Sequence, residues 1–95
     1  MSLQEKLQAV EVYLQTEFPD AKIEVKHEPM ERIHRFQILQ HGKPHWAIVV
    51  EAFLQGCAAD QIAATLQTFT LAEHLRDLGV TPVVVTPKGL KLEGD

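Results

Sequence analysis

Ile33-His34-Arg35-Phe36-Gln37-Ile38-Leu39-Gln40-His41-Gly42-Lys43-Pro44-His45-Trp46-Ala47-Ile48-Val49-Val50-Glu51 is the stretch whose reading decides the fold. Apolar and polar residues alternate before Gln40-His41-Gly42, while after it the run is apolar on both sides at its centre, as Val83–Val85 also is; both patterns read as strands. Gly42 is free to take positive φ, so the three residues read as a tight hairpin loop. Strands then run over Ile33–Leu39 and Pro44–Glu51, with Ile38 opposite Pro44, Phe36 opposite Trp46 and His34 opposite Ile48. This register puts Phe36, Ile38, Trp46, Ile48 and Val50 on a core face. Arg35, Gln37, Leu39, His45, Ala47, Val49 and Glu51 form the outer face. A slip of one residue would scatter the apolar set across both faces.

Upstream, Ala21 to His27 alternates as well, with Lys22, Glu24 and Lys26 outward and Ala21, Ile23, Val25 and His27 inward. Before it, Leu3, Leu7, Val10 and Leu14 recur on one face of a helix over Leu3–Glu17. Ser2 and Glu5 have the capping-box spacing, and Pro19-Asp20 stops the helix. Downstream, Gln55-Gly56-Cys57 is a break. A helical stretch over Ala58–Leu78 follows, its stripes on Ile62, Leu66 and Phe69 and then Leu71, Leu75 and Leu78. Thr70-Leu71-Ala72-Glu73 has capping-box spacing, so a helix break near Thr68–Thr70 is expected, and Gly79 suits the helix end. Val83-Val84-Val85, bracketed by Pro82 and Pro87, reads as an edge strand or a short buried one. Gly89 to Asp95 adds a weak last strand that frays.

The expected fold class is α+β. It is a two-layer sandwich of order α-β-β-β-α-β, with an antiparallel three-stranded meander, a C-terminal strand and both helices on one sheet face. All of 1–95 forms a single domain, because a second core would need about as many residues again. The 45% hydrophobic and 23% charged content is that of a globular chain. A domain of this length buries only roughly 60–65% of its unfolded surface, which is a motive to hide apolar area against a partner.

The formal charge of −4 marks an acidic chain and argues against nucleic-acid or anionic-membrane partners. No Lys or Arg lies between Lys43 and Arg76. The α-β-β-β-α order resembles that of double-stranded RNA-binding domains, but in order alone. The start of the second helix, Cys57-Ala58-Ala59-Asp60-Gln61, has no cation for phosphate, and no nucleic-acid role is carried over. The order, size and acidity also resemble secretion-chaperone-like folds in general architecture, which favours a protein-binding role. One cysteine, Cys57, excludes an internal disulfide. With no signal peptide and no apolar run of membrane-spanning length, a cytoplasmic location is the default.

No catalytic or cofactor signature overlies the strand pattern. His27, His34, His41 and His45 cluster in the hairpin region, and His74 lies on the second helix. They lack the helical pair or cysteine partner of a zinc site, so rim histidines are the plainer reading and no metal is expected. Glu24 and Arg35, with His45 or Glu51, could meet on the outer face, where a mixed-charge sheet face is the bland alternative to an acid–base pair. Cys57 near a helix start could be a reactive thiol, but more often such a residue packs as a small apolar side chain.

The expectation is a small cytoplasmic homodimeric protein-interaction or assembly module without catalytic activity. Its interface would comprise Leu39, Ala47, Val49, Val83 and Val85. On that reading Val49→Glu abolishes dimerisation and leaves the fold intact. The alternative is a small-molecule-binding protein or enzyme whose site, on the outer face or in a dimer cleft, is lined by Arg35, His45 and Glu51. No cofactor is expected under either.

Overall fold

The computed structural model describes residues 3–92; Ser2 and its capping role, and the last three residues of the expected final strand, lie outside them. Helix α1 spans Leu3–Glu17. Strands β1 (Lys22–Glu28), β2 (Ile33–Gln40) and β3 (Lys43–Val50) follow. Then come α2 (Glu51–Gly56), a 3-10 turn (Ala59–Gln61), α3 (Ile62–Thr68), α4 (Leu71–Leu78), β4 (Val83–Thr86) and β5 (Gly89–Leu92). The sheet order is β1-β2-β3-β4-β5, antiparallel throughout except for the parallel pair β3 and β4. A parallel pair needs a crossover. The run Glu51–Leu78 supplies it, and it carries α2, α3 and α4 over the same face that α1 covers.

The α+β sandwich is thus the observed architecture. One core gathers Val10, Tyr13 and Leu14 of α1, Phe53 and Leu54 of α2, Ile62 and Leu66 of α3, and Leu71, Ala72 and Leu75 of α4. Opposite them lie Phe36, Ile38, Ala47, Val49, Val83 and Val85 of the sheet. Tyr13 also ties two helices together. Its hydroxyl accepts the Ala72 N–H at 3.2 Å, satisfying a donor in the first turn of α4.

The hairpin is one residue tighter than the sequence reading. Its loop is His41-Gly42 alone, with Gln40 opposite Lys43. Both loop residues have positive φ, 51° and 76°, as a type I′ turn requires. Such a turn matches the strand twist, and histidine enters the left-handed region more readily than most side chains. The consequence is that Phe36 faces Ala47, Ile38 faces His45 and His34 faces Val49. The first two strands keep their expected faces, while the third is inverted. His45, Ala47 and Val49 point to the helices; Trp46 and Ile48 point away, and Val50, where the chain turns into α2, packs against the core.

Two further differences concern the helices. Glu51, expected to end the third strand, instead starts α2, a helix absent from the sequence reading. The expected break near Thr68–Thr70 is real, but the capping box is not formed. Thr70 is left-handed at φ 55°, and its hydroxyl donates to the Phe69 carbonyl at 2.6 Å rather than capping α4. Gly79 does end α4, at φ 61°.

Because Val49 is fully buried beneath the helices, Val49→Glu is expected to unfold the domain rather than release a monomer. An unpaired buried charge costs about 4 kcal/mol or more, comparable to the whole stability of a small domain. Loss of the far-ultraviolet helix signal at room temperature checks this.

Candidate interaction surface

All four helices lie on one side of the sheet, so its other face carries no helix. The register places Lys22, Glu24, Lys26 and Glu28 of β1 there, beside Ile33, Arg35, Gln37 and Leu39 of β2. Pro44, Trp46 and Ile48 of β3 and Val84 of β4 continue the face. Its centre is apolar: Ile48 and Val84 are closed off by their neighbours, Trp46 is half-buried and Leu39 is 40% exposed. Towards β1 the face becomes charged. The Arg35 guanidinium donates to the Glu28 carboxylate at 3.3 Å, both groups three-quarters shielded from water. A concavity of about 290 Å³ opens here, lined by Glu24, Lys26, Glu28, Arg35, Gln37 and Trp46 among others.

The residues expected to bind a ligand are not brought together. Arg35 is on the helix-free face. His45 is buried on the opposite one, its ring 5.7 Å from that of Phe18. Its Nδ1 lies 2.8 Å from the Gly79 carbonyl oxygen. A carbonyl only accepts, so Nδ1 carries a proton. The ring therefore ties β3 to the end of α4 and has no free face for a ligand. Glu51 sits in the first turn of α2, its backbone N–H donating to the Arg32 carbonyl at 2.9 Å. The trio Arg35, His45 and Glu51 is thus divided by the sheet.

Of the expected interface residues, only Leu39 is on the helix-free face and exposed. Ala47, Val49, Val83 and Val85 are at most 1% exposed and belong to the core. The hairpin register explains the first two. Val83 and Val85 are inward because β4 pairs in parallel with β3 and is flanked by β5. The residues missed were Trp46, Ile48 and Val84. For Trp46 and Ile48 the one signal lay in the hairpin, where a His-Gly pair satisfies a two-residue turn as well as Gln-His-Gly satisfies a longer one, so the sequence left both faces open; for Val84, on β4, the hairpin held none.

The histidines disperse. His41 is exposed in the hairpin turn, and His74 Nδ1 lies 2.8 Å from the Thr70 carbonyl. Among the described residues no group of three or more His, Cys, Asp or Glu is placed to hold a metal. Cys57 is half-buried, its sulfur 3.7 Å from the Thr65 hydroxyl. His27 and His34 stack at 4.4 Å, 10° from parallel, on the helix side of β1 and β2. His34 is 1% exposed and neither ring nitrogen has a hydrogen-bond partner. Burial first, and His27 second, push its pKa below the usual histidine value, against a smaller opposing pull from Glu51.

No protein-family model, curated protein or solved structure matches the chain. No helix among the described residues is long and apolar enough to cross a membrane.

His34 makes the fold acid-sensitive in a definite direction. Its folded pKa is below its unfolded one, so the unfolded chain takes up the proton first. The stability that neutral His34 supports is full above about pH 6.5 and is lost as pH falls through the lowered value. His34→Phe removes the ionisable ring and its two unpartnered nitrogens while keeping an aromatic volume. The expected result is a flatter dependence of Tm on pH below about 6.5 than in the wild type.

Proposed function

We propose that this chain is a homodimeric protein-interaction module without catalytic activity of its own, working in the cytoplasm. The observation that carries the reading is the one-sided covering of the sheet. On the helix-free face Trp46 and Leu39 present apolar surface above the closed-off Ile48 and Val84, and Lys26, Glu28 and Arg35 form a polar rim. That is the anatomy of a protein interface, in which Trp and Arg are favoured anchors. A protein partner with an aliphatic patch fits the centre. The small core of a 95-residue chain adds a reason to bury more apolar area by association. Static light scattering in the micromolar range is expected to give twice the chain mass of 10.7 kDa. A monomer throughout that range would remove the homodimer from the reading.

A second reading is favoured by the concavity beside Arg35. A small ligand with a planar ring could stack on Trp46 and place an anionic group toward Arg35 or Lys26. Trp46 is the chain's single tryptophan, so saturable quenching of its fluorescence by planar anionic compounds, lost in Arg35→Ala, is the expected outcome under this reading.

A further inference from the structure

Strand β1 is one of the two edge strands of the sheet, and its far edge pairs with nothing among the described residues. It is seven residues long and has neither proline nor glycine. Val25, on the helix side of the sheet, is nevertheless 47% exposed, although Ile23 on the same face of the strand packs against the core. A long, regular, partly apolar edge is a ready template for another strand.

Its charges say which strand. Lys22-Ile23-Glu24-Val25-Lys26-His27-Glu28 alternates in sign along the helix-free face, and the alternation is antisymmetric about Val25. We propose that two copies of the chain join antiparallel along β1, with the two-fold axis at Val25, into one continuous sheet. The assembly rests on the homodimer proposed above and gives it an address.

In this register Lys22 meets Glu28 of the partner subunit, and Glu24 meets Lys26 of the partner subunit. Val25 meets the partner's Val25, and Ile23 meets the partner's His27. Every facing charged pair is therefore opposite in sign, the favourable case for cross-strand neighbours. Moving the axis to Glu24 sets Lys22 against the partner's Lys26. Moving it to Lys26 sets Glu24 against the partner's Glu28. Full overlap with complementary charge thus selects Val25. Lys22 already lies 3.5 Å from Glu24 in its own strand. Both are well exposed and free to exchange that contact for the cross-subunit pairs.

The backbone agrees with this choice. A two-residue hairpin loop makes its flanking residues, Gln40 and Lys43, a mutually hydrogen-bonded pair. Alternation then aims the amide groups of Leu39, Gln37 and Arg35 toward β1, where Lys22, Glu24 and Lys26 receive them. The N–H and C=O groups of Ile23, Val25 and His27 are left pointing outward. Centring on Val25 therefore makes Val25–Val25 and both Ile23–His27 contacts hydrogen-bonded pairs.

Charge exchange tests the register. Glu24→Lys alone places like charges in both symmetry-related contacts and is expected to weaken the dimer roughly tenfold at low salt. Lys26→Glu alone is expected to do the same. The double variant E24K/K26E should recover wild-type affinity. Mixing the two single variants should give a heterodimer in preference to either homodimer, read by native mass spectrometry. Mild oxidation of Val25→Cys should give a covalent dimer linked through residue 25, since facing backbones in such a pair are about 5.5 Å apart. A wild-type dimer that ignores the charge changes and does not cross-link at residue 25 overturns the β1 assembly while leaving the homodimer reading in place. A wild-type monomer overturns both.

Discussion

The fold turns on the two-residue turn at His41-Gly42. A type I′ turn matches the right-handed twist of its strands, and it fixes their pairing to the residue. Side chains in a strand alternate strictly, so one residue of register exchanges the two faces of β3. With the observed turn, Ala47 and Val49 lie beneath the helices, and Trp46 and Ile48 go to the other side. The helix-free face has an apolar centre because of that choice.

The same choice explains the separation of Arg35 from His45. They lie on adjacent strands, but their faces oppose. His45, inside, becomes structural: it stacks with Phe18 and ties the middle of the sheet to the end of α4. Arg35, outside, pairs with Glu28 beside Trp46. A sheet that is only a few residues wide can thus separate neighbouring polar groups into a packing role and a surface role.

The position of β4 is the second constraint. Val83-Val84-Val85 is apolar on both sides because it is an internal strand, between β3 and β5. The double-sided character of β3 has the same origin, since it is the middle strand of the five. The helix layer covers this centre and reaches Ile23 of β1 but leaves Val25 half-exposed, so packing is dense from β2 to β4 and thinner at that edge. His27 and His34 lie on the boundary between the two regimes. One imidazole is exposed and the other is buried without hydrogen bonds.

Local pattern in the chain was enough for α1, for the three meander strands to within a residue at each end, for the helix break beside Thr70 and for the end of α4 at Gly79. Each depends on neighbours close in sequence: a 3.6 or 2 period, or a residue with its own backbone preference. Tertiary structure alone decided the face of β3, the parallel docking of β4 and the existence of α2. Gln40-His41-Gly42 permits either loop length, and only the packing of Ala47 and Val49 under the helices selects between them. The outward set of Trp46, Ile48 and Val84 could not be assembled from the sequence for that reason. Its members come from strands joined by a crossover, whose docking is written in contacts far apart along the chain.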